Sequence, residues 1–180
     1  MFLKALTMAA LLASTVSARA EWVHIQGEND PFKGGPKHDA LFADSPIMPD
    51  EMFGFSCNTA TNVMLIWVTR QKVGYENREY VERMRLRIAL IVDGAPPIYA
   101  KAKGKVVRIN KLGIGTDDRT AVTRMALAIA SATKGVAAGI ELNGKIIDST
   151  AFPLGDAPKV LGELVQGCHL KPDLATGAVR

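Results

Sequence analysis

With 180 residues, 48 % of them hydrophobic, and a formal net charge of +4, the chain has the length of a single domain. Such a domain buries roughly two thirds of its unfolded surface and needs no metal to fold. Setting aside Lys4 and Arg19, which belong to a leader pattern, leaves 20 basic against 18 acidic side chains, a net charge of +2. That balance excludes a charge-based argument for nucleic acid or an anionic membrane as partner.

Residues 1–20 read as a cleavable secretory signal. Lys4 supplies a short positive start, Ala5 to Ser17 is an uncharged run of apolar and small residues, and Ala18-Arg19-Ala20 is an A-x-A cleavage site. The run falls short of the ~20 apolar residues that span a bilayer. Cleavage near Ala20 is expected to leave a mature chain from Glu21 with no transmembrane segment, placed in the periplasm or secreted. No cysteine follows the cut, so lipoprotein processing is not indicated.

Glu21 to Gln26 alternates as a short first strand. Gly27 to Pro49 is rich in Gly, Pro, Asp and Lys and reads as a long loop, with Ala40–Ala43 as a brief edge strand. Met52–Cys57 and Asn62–Thr69 form a predicted hairpin. Both faces of its second run are apolar, with Val63, Leu65 and Trp67 against Met64, Ile66 and Val68, which predicts a strand covered on both sides. Gln71–Glu82 is polar and reads as a linker. Arg85–Val92 and Ile98–Ile109 follow as strands around the Asp93-Gly94 turn signal. Asp117 or Asp118 caps a predicted helix carrying Val122, Met125, Ala126, Ile129 and Ala130, which Gly135 ends. Val136–Leu142 and Lys145–Phe152 flank Asn143-Gly144, the clearest hairpin signal in the chain. Asp156 and Pro158 open a last helix in which Val160, Leu161, Leu164, Val165 and Cys168 follow helical spacing.

Cys57 and Cys168 lie 111 positions apart. In an oxidising compartment such a pair predicts a disulfide, whereas redox pairs stand two residues apart. Two buried free thiols are the other reading. The expected fold is α+β: an antiparallel sheet of about six to eight strands, curled or sandwich-like, with two helices and one disulfide. It forms one domain over residues 21–168 with a flexible tail over 169–180.

No residue set amounts to an active site. Gly54-Phe55-Ser56-Cys57-Asn58 lacks the last glycine of a nucleophile elbow. His24, His38 and His169 are isolated; His38 and Asp39 with Asp30 would make only a loose cation site, and no metal or cofactor is expected. Gly113-Ile114-Gly115-Thr116 reads as a glycine-rich lead-in to a helix and not as a nucleotide turn. Glu76, Glu79, Glu82, Asp117 and Asp118 sit in polar segments that suit solvated carboxylates. The candidate partner-binding residues are Arg85, Arg87, Lys101, Lys103 and Lys105, with Arg78 and Arg83 beside them. They form a positive strip if their strands pair, either as a solvated sheet edge or as a docking surface for an acidic protein or anionic envelope polymer.

The leader, the early Trp22, a strand ending in Cys57, the stretch Leu86–Gly94 and the closing run Asp148-Ser149-Thr150-Ala151-Phe152-Pro153-Leu154-Gly155 to Cys168 resemble small exported proteobacterial envelope proteins, such as the invasion-associated locus B type. The chain departs from that type in having two cysteines only. The resemblance implies a non-catalytic envelope protein and carries over no catalytic residue. The expected function is a non-enzymatic binding or structural protein whose partner is another envelope or secreted protein. A second reading is an inhibitor of an envelope-directed hydrolase such as lysozyme, using the Gly27–Pro49 loop; a third is an enzyme of unrecognised type.

Overall fold

The computed structural model describes residues 21–30, 35–44, 50–59, 62–107 and 110–171. The predicted leader, residues 1–20, and residues 172–180 of the predicted tail lie outside them. Nine strands form one curled, half-barrel sheet, and all pairings are antiparallel. In chain order they are β1 (Glu21–Asp30), β2 (Gly35–Ala43), β3 (Met52–Thr59), β4 (Asn62–Lys72), β5 (Leu86–Val92), β6 (Ile98–Val107), β7 (Lys111–Thr116), β8 (Val136–Leu142) and β9 (Lys145–Phe152). Their order across the sheet is β1-β2-β3-β4-β7-β6-β5-β8-β9. The helices are α1 (Arg78–Arg83), α2 (Arg119–Ala130) and α3 (Ala157–Gly167).

Both element counts exceed the expected six to eight strands and two helices. The Gly27–Pro49 stretch is largely strand: β2 lies between β1 and β3, and its inward set is His38, Ala40 and Phe42. A histidine among the buried positions hides the period-two pattern. The Gln71–Glu82 linker instead contains the end of β4, a 3-10 turn at Tyr75–Asn77 and α1. This helix buries Val81 alone, so it carries no apolar stripe. The pairs Arg78–Glu82 at 2.8 Å and Arg83–Glu79 at 3.3 Å span its successive turns. Gly113–Thr116 belongs to β7 and not to a helix lead-in, with Leu112 and Ile114 facing the core.

The predicted turns and caps hold at several points. Asn143 and Gly144 have φ of 52° and 80°, as a type I′ turn requires. The Asp118 side chain accepts from the Ala121 N–H at 3.1 Å and caps α2. That helix ends at Ala130, and Gly135 precedes β8 instead. Asp156 is at the N-cap of α3, but its side chain makes no capping bond. Asp93, at φ 54°, accepts backbone N–H groups from Thr133, Lys134 and Gly135. These bonds, Gly135 foremost, hold its carboxyl down to about 2.

The inner face of the sheet and the buried stripes of α2 and α3 make one core. At its centre Phe152, the last residue of β9, packs on Phe53, Phe42, Trp67 and Trp22, with ring centroids 4.8 to 6.4 Å away. Trp22 belongs to the opposite edge strand, and its Nε1 donates to the Pro153 carbonyl at 2.9 Å. A side chain of the first strand therefore packs on the end of the last one. Cys57 and Cys168 form a disulfide, with Cα atoms 6.3 Å apart, that ties β3 to the end of α3. Leu170, just beyond it, is buried. Among the described residues no helix is long and apolar enough to cross a membrane.

Candidate functional site

A strand shows alternate residues on opposite faces, so β4 can face the core with one set only. Val63, Leu65 and Trp67 are buried there. The other set points outward, and the expectation of cover on both sides is corrected: Met64 and Ile66 are 37 % and 38 % exposed although β4 is a central strand. Across β4, β7 and β6, Ile66, Gly115 and Lys103 stand in one row, and Val68, Gly113 and Lys105 in the next. Strands two places apart are ~10 Å apart. The glycines of β7 thus floor a trough with an apolar wall from β4 and a lysine wall from β6.

Two depressions, of about 530 and about 610 Å³, meet at Ile66, Lys103 and Gly115. One runs past Met64 and Lys101 to Asp117 and Asp118. The other runs past Lys105 to Arg78 and Glu82 of α1. Lys101, Lys103 and Lys105 are exposed and make no ion pair among the described residues.

The predicted basic strip is only partly assembled. Register places Arg87 beside Lys101, but Arg87 donates to Glu141 at 3.0 Å and stacks over Tyr99 at 4.0 Å from the ring centroid. Arg78 is held by Glu82 and Tyr75, which raise its pKa, and Arg83 is paired with Glu79. Arg85 is exposed in the link between α1 and β5. Among the described residues, the members of the strip without an ion pair are therefore Arg85 and the lysine row of β6. The glycine floor and the open apolar wall are missing from the sequence reading. A period-two signal was present in Leu112-Gly113-Ile114-Gly115, whose apolar residues face in and whose glycines face out.

A second cluster joins β1, β2 and α3. His24 Nδ1 lies 3.1 Å from Glu163 Oε2, and His24 Nε2 lies 3.3 Å from His38 Nδ1. The two imidazole planes are parallel within 4°, with ring centroids 5.5 Å apart. His38 is buried opposite Cys57 and packs against Gly167. Asp39 faces the other way and pairs with Lys37 at 2.9 Å. Among the described residues no group of three or more His, Cys, Asp or Glu side chains is placed to hold a metal; the side chain of Asp30 lies outside them. Ser56 is a buried strand serine.

Burial first, then His24, hold the His38 imidazole below its ordinary 6.5, with His169 adding and Asp39 opposing. The unfolded chain therefore binds a proton near pH 6.5 that the folded chain refuses. This contribution to stability is complete above about pH 6.5 and is lost as pH falls through it. The urea midpoint is expected to drop between about pH 8 and about pH 5, and His38→Gln is expected to flatten that drop. An unchanged pH profile in His38→Gln would contradict the assignment.

A third polar group closes one end of the sheet. Glu51 is buried, accepts from Trp67 Nε1 at 2.9 Å and meets Arg70 Nε at 3.4 Å. Lys111 donates to the carbonyl and to Oδ1 of Asp50, both at 2.7 Å. Each charge has its counter-charge, which is how a buried carboxylate and a buried ammonium are accommodated.

The chain matches no protein-family model, no curated protein and no solved structure.

Proposed function

We propose that the protein is an exported, non-enzymatic binding protein of the cell envelope that holds an acidic protein or envelope component against the outer face of its sheet. The observation that carries this is a central strand left open on one side, with Met64 and Ile66 exposed beside three unpaired lysines. Apolar area exposed beside a row of like charge is a feature of docking surfaces, and the acids Asp117, Asp118 and Glu82 stand only at the two ends of the trough. The leader pattern of residues 1–20 and the Cys57–Cys168 bond support export to an oxidising compartment. The Gly27–Pro49 stretch that motivated an inhibitor is for the most part a paired hairpin, so the outer face is the better-supported surface.

The test is capture from envelope extracts by the mature chain, Glu21 to Arg180, beside the variant Lys101→Glu/Lys103→Glu/Lys105→Glu. At about 50 mM salt, where screening is weak, the parent is expected to retain a partner that the triple variant loses by tenfold or more. A partner held equally by both proteins would move the site away from this face. No partner on either protein at any salt would overturn the binding-protein reading.

A further inference from the structure

We infer that the trough over β7 is the seat of an extended segment of a partner protein, one in which acidic and apolar residues alternate. The inference rests on the docking reading above and specifies its ligand.

Three features of the trough select this occupant. The first is period. Lys101, Lys103 and Lys105 are alternate residues of one strand, so their stems rise at intervals of about 6.7 Å. Alternate side chains of an extended peptide have the same interval, so acids at every second position meet a lysine each time. The second is the opposite wall. Met64, Ile66 and Val68 are also alternate residues of one strand. An extended peptide lying along β7 directs its odd residues to one wall and its even residues to the other. One wall takes acids and the other takes apolar groups. The third is the floor. Gly115 presents backbone alone between Ile66 and Lys103, the ~10 Å between β4 and β6 leaves the width of one chain, and Asp117 and Asp118 line the Lys101 end. Val107 leans over Gly113, so Gly115 is the open part of the floor.

The floor also supplies a test that spares the fold. A Cβ built on Gly115 meets only the Leu65 carbonyl oxygen, at an ordinary 3.5 Å, and β-branched side chains suit strands. Gly115→Val is therefore expected to fold at least as stably as the parent while blocking the trough.

The experiment measures binding to the oxidised mature chain by calorimetry. The probes are an end-capped octapeptide alternating Glu with Val or Thr, and an octapeptide of the same composition with its four Glu in one block. Phosphatidylglycerol vesicles and polygalacturonate serve as anionic controls. The alternating peptide is expected to bind at least tenfold more tightly than the block peptide. It is also expected to weaken at least tenfold in Gly115→Val and in Lys103→Glu, with melting temperatures showing both variants folded. Equal binding of the two peptides, or binding that survives Gly115→Val, would overturn the alternating-segment assignment while leaving an electrostatic docking face in place. Binding of vesicles or polygalacturonate, and of neither peptide, would replace the protein partner by a lipid or a polymer. If no probe binds, the assignment fails, and capture by the parent and the triple-lysine variant then decides separately whether the face docks anything.

Discussion

Replacing Cys57 and Cys168 together by alanine is expected to lower the stability of the domain by about 4–5 kcal/mol, the chain-entropy value for releasing a loop of this length. The loop holds 111 positions, from β3 to the end of α3, and so contains most of the sheet and both long helices. The unfolded chain gains freedom along that whole length. The folded chain loses the tie between the C-terminus of α3 and the strand beneath it. For a domain of this size each kcal/mol corresponds to roughly 2–4 °C in melting temperature, so a fall of about 10–15 °C is expected. Melts of parent and double variant, each with and without reductant, check this. Reductant should destabilise the parent to a similar extent and leave the variant unchanged. A variant melting within about 2 °C of the oxidised parent would show that the cross-link contributes little.

Phe152→Ala is expected to cost about 3–5 kcal/mol, the range for deleting a buried aromatic side chain. Phe152 is stacked on Phe53 at 4.8 Å and edge-on to Phe42, Trp67 and Trp22. It also packs against Trp22 of the first strand, beside the Trp22 to Pro153 hydrogen bond. The deletion therefore opens a cavity among four rings and removes the support beneath Trp22. Phe152→Leu keeps most of the volume and loses the ring contacts, so it should cost distinctly less. Urea unfolding followed by the fluorescence of Trp22 and Trp67 reads both the loss and its place. A cost below about 1 kcal/mol for Phe152→Ala would mean that Trp22 is held by other contacts.

The lysine row illustrates what can be read along a chain. Lys101, Lys103 and Lys105 alternate with Ala100, Ala102 and Val106, and a strand with those lysines on its outer face follows from period alone. The identity of the strand beside it does not follow. β7 was missed because its outward residues are glycines, which erase the polar half of the alternation. Without β7 the Met64–Ile66–Val68 wall and the lysine wall have no reason to face each other. α1 was missed for a related reason: one buried valine makes no stripe. The histidine pair was unreadable because His24 and His38 are 14 residues apart, and Glu163 comes from a helix on the far side of the chain.

What the sequence determined by itself is local or chemical. The β8–β9 hairpin follows from Asn143-Gly144 between apolar runs, α2 and α3 follow from their apolar spacing, and the Cys57–Cys168 bond follows from a lone pair of cysteines. These depend on neighbours within a few residues or on there being no other partner. Only the tertiary structure decided which face of β4 is left open, that β7 lies between β4 and β6, and that Phe152 reaches back to Trp22. Each of these joins residues far apart in the chain. Period-two patterning tells a strand which side to bury, but it is silent on which strand stands beside it and on what covers the other side.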